Sequence, residues 1–234
     1  HSYSPISISF LTPRQEQPIS PQDNIMTKPK SSSSSSKYLS PNALSYLTLL
    51  LELIENEDWR AFEEIAIQKA RSFKALSDII ATTDTFNGMT LLHAVVRSHP
   101  PLQIVADIIN ICPDLPRARD CLNRTPLHLA AGIGASAEVI KSLAVAYPEA
   151  CKIQDEDGRT PLHLYCDVDC ILFEGEKQKK KPPSVDVVHI LLSASIVPAS
   201  MEDNDETSPI EYAIMSDADI RVVKLLQKAA QKFM

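Results

Sequence analysis

The sequence predicts an all-α fold in which helix-turn-helix units with short, hairpin-like turn tips stack into a solenoid. The first observation behind this prediction is a recurring hexapeptide: TLLHAV from Thr90, TPLHLA from Thr125, TPLHLY from Thr160 and SPIEYA from Ser208, at steps of 35, 35 and 48 residues. The second is that each copy opens with a helix-start pattern and is followed by another apolar stretch with helical spacing. A period in this range is typical of repeat proteins, whose units share one continuous core.

Residues 1–40 are predicted to form a disordered tail. Residues 1–41 contain 12 Ser and 6 Pro, including SSSSSS at 31–36, and such a segment buries too little apolar surface to offset the conformational entropy lost on folding. Its Ser-Pro pairs at Ser4, Ser20 and Ser40 are either phosphorylation sites or a consequence of composition. The chain does not begin with Met, so we expect a processed product or a fragment; the Ser-rich start supports no targeting prediction.

Residues 41–80 are predicted to form a helical cap that lacks the hexapeptide. Ser40 can cap the first helix, with Pro41 at its first position, where a missing N–H costs little. The apolar face of this helix carries Leu44, Leu47, Leu51 and Ile54. A second helix is marked by Trp59, Phe62, Ile65 and Ala66.

Each position of the hexapeptide has a physical role. The first residue, Thr or Ser, can cap a helix, and Pro follows it in all copies but the first. The third position is a buried apolar anchor, filled by Leu92, Leu127, Leu162 and Ile210. Two residues before each hexapeptide stands a turn position, where Gly and Asn tolerate positive φ; it holds Gly88, Asn123, Gly158 and Glu206.

These motifs resemble the ankyrin repeat, a unit of about 33 residues that carries T-P-L-H-x-A. The resemblance covers residues 84–234, with repeats starting near 85, 120, 155 and 203, and residues 41–80 as a divergent cap complete the predicted domain of residues 41–234. The sequence departs from the family pattern in its 35-residue period and in Pro113 and Pro148, which replace the usual Gly at the helix exits. The 48-residue step contains an insertion of 13 residues, placed around 173–184.

The resemblance also implies which residues are structural and which contact a partner. His93, His128 and His163 are implied to hydrogen-bond to backbone and tie neighbouring turns together, so their substitution is expected to destabilise the fold. Partner contacts are implied beside the turn tips and just after each hexapeptide, at Phe86, Asn87, Met89, Arg97, Leu122, Arg124, Ile133, Glu156, Asp157, Arg159, Asp167, Asn204 and Asp205.

The charge distribution favours a protein partner with a basic segment. The formal charge is −7, and because residues 1–41 carry four basic and two acidic side chains (+2), the remainder holds −9. Such a body is poorly suited to nucleic acid, which binds mainly basic side chains. The turn tips QDEDG at 154–158 and MEDNDE at 201–206 are the most acidic stretches. They either hold the basic segment, with an apolar anchor against units one and two, or simply keep the tips soluble.

The lysine run Lys177, Lys179, Lys180 and Lys181 is read as a solvated loop; a nuclear-import sequence or an anion contact is the alternative. Nucleic-acid binding through this run and the basic tail has little support. The longest apolar run, residues 44–54, is shorter than the roughly 18 residues of a membrane span, so no membrane contact is expected. We expect a monomer.

No catalytic pattern is present in the sequence, which lacks a Gly-rich phosphate loop and GxSxG, and we expect no cofactor. His163, Cys166 and Cys170 superficially suggest zinc, but no second ligand pair accompanies them, so no metal is expected. The five cysteines are read as reduced, which favours the cytoplasm or nucleus. The sequence therefore predicts a non-catalytic protein-interaction module or scaffold; the alternative is a regulatory or targeting fragment of a larger multidomain enzyme or channel.

Overall fold

The computed structural model describes residues 41–69, 88–173 and 180–232, and within these ranges every regular element is a helix. The predicted tail at 1–40, including the proposed capping residue Ser40, lies outside the described residues. Residues 70–80 of the predicted cap also lie outside the described residues.

The described part of the chain begins with two helical segments. Helix α1 spans Pro41–Glu55, and α2 spans Trp59–Phe62 and continues as a π-helical segment, Glu63–Gln68. The side chain of Asp58 starts α2 by accepting a hydrogen bond from the N–H of Ala61 at 3.0 Å. The buried face of α1 consists of Leu47, Leu50 and Ile54, with Leu51 half-buried. The sequence interpretation had omitted Leu50, which is fully buried.

Four helix pairs follow, each built from a hexapeptide helix and a second helix. In chain order they are α3 (Leu91–Arg97) with α4 (Leu102–Ile111), α5 (Pro126–Gly132) with α6 (Ala137–Ala146), α7 (Pro161–Cys166) with α8 (Val185–Ala194), and α9 (Pro209–Met215) with α10 (Ile220–Gln231). We number these units one to four. The second helices α4 and α6 end two residues before Pro113 and Pro148, as the missing N–H of proline requires. A short 3₁₀ segment then leads to the next tip in units one to three: Leu115–Arg117, Pro148–Lys152 and Val197–Ser200.

The pairs stack in two rows, which makes the fold an all-α repeat solenoid. The first helices α3, α5, α7 and α9 contact one another in sequence, and so do the second helices α4, α6, α8 and α10. The opening segments extend both rows, because α1 contacts α3 and the π-helical segment contacts α4. We call the side formed by the first helices and the turn tips the inner surface.

The core runs between the two rows. Leu92, Leu127 and Leu162, the third residues of the hexapeptides, are at most 1% exposed. The expectation that Ile210 is equally buried is wrong: it is half-buried, because among the described residues a neighbouring unit packs against only one side of α9.

The connection between α7 and α8 is much longer than its counterparts. It comprises residues 167–184, whereas residues 133–136 suffice between α5 and α6. Its described parts fold back onto the stack, and Leu172 belongs to the buried core.

Candidate protein-binding surface

The three histidines of the hexapeptides link each unit to the next. In unit two, His128 Nδ1 accepts a hydrogen bond from the backbone N–H of Thr125 at 3.0 Å, and Nε2 donates to the carbonyl of Ile153 at 3.0 Å. His93 makes the same pair of bonds to Thr90 and Arg124, and His163 to Thr160 and Met201. Each imidazole therefore holds its own helix start and the backbone entering the next turn tip.

These histidines are neutral in the folded protein. Burial lowers the pKa of His128 to about 3 and the pKa of His93 and His163 to about 4, and the hydrogen bonds to backbone only partly oppose this shift. A neutral ring needs one donor nitrogen and one acceptor nitrogen, which is the arrangement that its two backbone partners require. With both ring nitrogens of each histidine engaged, the three rings point to separate turns instead of sharing one cavity.

A buried aspartate organises each described turn tip from unit two onward. Asp120 Oδ1 accepts from the N–H groups of Leu122 and Arg124, at 3.0 and 2.9 Å. Asp155 and Asp203 repeat these contacts at the next two tips, and all three are less than 9% exposed. The sequence interpretation missed this role, although each of these aspartates stands five residues before the Thr or Ser of its hexapeptide.

Neighbouring tips are hydrogen-bonded to one another along the stack. The N–H of Glu156 donates to the carbonyl of Leu122 at 3.1 Å, and the N–H of Asn204 donates to that of Asp157 at 3.0 Å. Gln154 adds a side-chain link to the carbonyl of Glu202. The tips are therefore fixed relative to one another, so their side chains form a preorganised surface.

The structure places the predicted partner-contact residues at different depths. Phe86 and Asn87 lie outside the described residues. The exposed members are Leu122, Glu156, Asp157, Asn204 and Asp205, and the half-buried ones are Met89, Arg97, Ile133, Arg159 and Asp167.

Arg124 is different, because it is part of the protein interior. Its guanidinium is 7% exposed and pairs with the fully buried carboxylate of Asp120 through Nε at 2.8 Å and Nη2 at 2.7 Å. A buried, paired guanidinium supports the tip rather than presenting itself to solvent. In the folded protein Arg124 is therefore not an exposed contact residue, and Leu172 and Phe173 lie against it.

Four of the predicted residues meet in a cleft of about 250 Å³ between the tips of units three and four. Asp157, Arg159, Asn204 and Asp205 line it together with Asp203 and Tyr212, which the sequence interpretation had not selected. Arg159 donates to Asp157 at 2.8 Å, and the hydroxyl of Tyr212 donates to Asp203 at 2.7 Å. Three carboxylates and one guanidinium give the cleft a formal charge of −2.

Hydrogen bonding keeps Asp203 ionised in this cleft. Burial alone would raise its pKa, but the Tyr212 hydroxyl and the N–H groups of Thr207 and Asp205 hold the pKa of this carboxyl below its usual range. Burial and the same hydrogen bond raise the pKa of Tyr212. At neutral pH Asp203 therefore contributes a negative charge to the cleft.

The inner surface around Gly132, Arg97 and Arg124 is covered by the chain itself. Two residues of the α7–α8 connection make these contacts. Leu172 lies against Gly132, and the ring of Phe173 lies between the guanidinium groups of Arg97 and Arg124. Lys180 lies along Gly134, and its Nζ donates to the carbonyl of Leu164. The interpretation of the lysine run as a solvated loop thus fails for Lys180, whose pKa burial lowers; Lys181 is exposed, and Lys177 and Lys179 lie outside the described residues.

The five cysteines differ in burial: Cys151 and Cys166 are buried, Cys112 and Cys170 are half-buried, and Cys121 is exposed. All five cysteines lie within the described residues as thiols, and burial raises the pKa of Cys151 and Cys166 to about 12. Across residues 41–69, 88–173 and 180–232, no cluster of three His, Cys, Asp or Glu side chains is arranged to hold a metal ion. No helix in the part of the chain that the structure describes is long and apolar enough to span a bilayer.

Comparison with known proteins agrees with the architecture. The family model described as "Ankyrin repeats (many copies)" matches residues 112–164, which contain the TPLH elements of units two and three. No curated protein matches the sequence. The matched segment lies in the middle of the described helical stack, and units one and four repeat its hydroxyl-capped helix starts and its helix pairs. The chain is thus an all-α repeat solenoid whose residues 112–164 match the ankyrin-repeat model.

Proposed function

We propose that this protein is a non-catalytic module that binds a protein partner through its inner surface, with a basic segment of the partner seated at the tips of units three and four. Ankyrin repeats generally mediate protein–protein interaction and are generally non-catalytic. The fold itself leaves the partner open, because different members use different tip residues.

The cleft between the tips of units three and four is the observation that carries the proposal. It gathers Asp157, Asp203 and Asp205 around a space of about 250 Å³, against one arginine. Asp203 accepts from Tyr212 and Asp157 accepts from Arg159, while the side chains of Asp157 and Asp205 remain exposed to a partner. A lysine or arginine of a partner meets complementary charge here on a surface that needs no rearrangement, and such complementarity raises association rates.

Charge reversal tests the proposal directly. The double variant Asp157→Lys, Asp205→Lys is used as bait in affinity purification from the native cells, beside the parent protein. We expect the parent's partner to be lost or reduced at least tenfold, and the residual binding to associate more slowly and to depend less on salt concentration.

A matched control separates the cleft from net charge. The control is the double variant Glu138→Lys, Asp186→Lys, which changes the net charge by the same amount. Both residues are exposed in the first turns of α6 and α8, in the row of second helices. The control's partner recovery should equal that of the parent. Equal recovery by the cleft variant and the parent would refute the basic-segment proposal.

A further inference from the structure

Gly132 creates a slot on the inner surface. The seventh residue after each capping residue is Arg97 in unit one, Asp167 in unit three and Met215 in unit four, but Gly132 in unit two. Leu172 lies so close to Gly132 that a Cβ on this glycine would be 2.4 Å from Leu172 Cδ1. The side chain of Leu172 is 9% exposed, so the slot buries it almost completely.

Two arginines form the walls of the slot and hold the next residue. The Phe173 ring has the guanidinium of Arg97 at 4.0 Å and that of Arg124 at 5.0 Å from its centre, within the range of cation–π attraction. Arg124 Nη1 also donates to the carbonyl of Leu172 at 3.1 Å. Because Asp120 fixes the other edge of this guanidinium, the donor is preoriented and its loss of freedom on binding is small.

The occupant reaches the slot from the next unit in the stack. Leu172 is 48 residues away from Arg124 along the chain, and it comes from the connection that is longer than its counterparts. A backbone carbonyl, an aliphatic side chain and an aromatic ring are the contacts that an extended peptide segment offers to a receptor surface.

We propose that the inner surface of units one and two is a binding site for a short peptide with an aliphatic residue followed by an aromatic one, and that Leu172 and Phe173 occupy it in place of the partner. Tethering gives the internal segment an effective concentration of about 1 mM, so it excludes weak competitors. A partner carrying such a segment displaces residues 171–173. The proposal rests on the proposed function only in using the same inner surface, and it can be tested without any partner.

The test uses a fluorescein-labelled hexapeptide, DSILFE, which is residues 169–174 with Cys170 replaced by Ser, and measures binding by fluorescence polarisation. The parent protein should show no saturable binding up to about 100 μM peptide. The variant Leu172→Ser, Phe173→Ser, with its slot emptied, should bind at least tenfold more tightly. A folded variant that does not bind, or a parent that binds equally well, would overturn the proposal.

Three controls assign the binding to the slot. The peptide DSISSE should not bind the emptied variant. Ile171→Ser should behave like the parent, since Ile171 is 65% exposed. Adding Gly132→Ala to the emptied variant should abolish binding by filling the slot; undiminished binding there would contradict the assignment.

Adding Asp157→Lys and Asp205→Lys to the emptied variant should leave peptide binding unchanged, so that the failure of one proposal is distinguishable from that of the other.

A second measurement applies if the emptied variant does not fold. Gly132→Ala alone places a better helix former in α5 and displaces Leu172. Hydrogen exchange of residues 168–173 should then accelerate at least tenfold while α5 stays protected. Unchanged exchange in that segment would mean that Leu172 does not occupy a separate slot.

Discussion

The substitution His128→Ala tests the role of the histidine ladder. The imidazole is fully buried, and its removal leaves the buried N–H of Thr125 and the half-buried carbonyl of Ile153 without this partner. An unsatisfied buried group costs about 1–3 kcal/mol, so the free energy of unfolding should fall by at least this amount. For a domain of this size, each kcal/mol lowers the melting temperature by about 2–4 °C, which makes the loss easy to measure.

The assay is chemical and thermal unfolding followed by circular dichroism at pH 7. The matched control is Glu211→Ala, the equivalent position in unit four, where an exposed carboxylate accepts from the Ser208 N–H at 2.7 Å. Because water can replace that contact, the control should lose far less stability than His128→Ala. If both variants melt alike, the histidine does not link the units as argued.

The same variant has a pH signature. Folded His128 takes up a proton only at about pH 3, whereas in the unfolded chain it does so near its ordinary value of 6.5. Between these values the unfolded state binds more protons, so stability falls as the pH falls below 6.5. A fully shifted histidine contributes about 1.4 kcal/mol per pH unit, and the stability of His128→Ala should therefore decline less steeply than that of the parent by about this slope. Equal slopes would contradict a neutral, buried His128.

Two further predictions concern the turn tips. Gly158 has φ +77° and lies so close to Asn204 that a Cβ would be 2.6 Å from Asn204 Oδ1, so Gly158→Ala should destabilise the protein by about 1–3 kcal/mol. Glu206 stands at the equivalent position with φ +58°, so Glu206→Gly should be neutral or stabilise by up to about 1 kcal/mol. Urea titration of both variants checks the opposite signs. Asp120→Ala should destabilise by about 3–5 kcal/mol by leaving the buried Arg124 unpaired, and a loss below about 1 kcal/mol in the same titration would show that the pair is dispensable.

The repeated pattern determined the local structure because its instructions are local. A hydroxyl cap and a proline at the first turn specify where a helix begins from the residues within that turn. Each predicted helix start, at Thr90, Thr125, Thr160 and Ser208, is therefore found in the structure. The histidine bonds to the next unit followed from resemblance to the family, and the buried aspartates were missed although their spacing was readable.

The depth of each candidate contact depended on long-range packing. Arg124 stands beside a turn tip like Asp157 and Arg159, and nothing in its immediate sequence says that Leu172 covers it. Tyr212 bonds to Asp203 within unit four, and the packing of α9 against α7 brings both residues to Asp157 and Arg159 of unit three. Contacts between units join residues tens of positions apart and depend on the path of the chain between them.

By itself, then, the sequence determined the all-α repeat architecture, the helix starts and the acidic character of the later tips, since caps, turns and periodicity act within one unit. Only the tertiary structure decided which inner-surface residues reach solvent. The reason is that Leu172 and Phe173 of the α7–α8 connection lie against residues of units one and two, and the burial of Leu172 against Gly132 and Arg124 is a property of the stacked units rather than of any one of them.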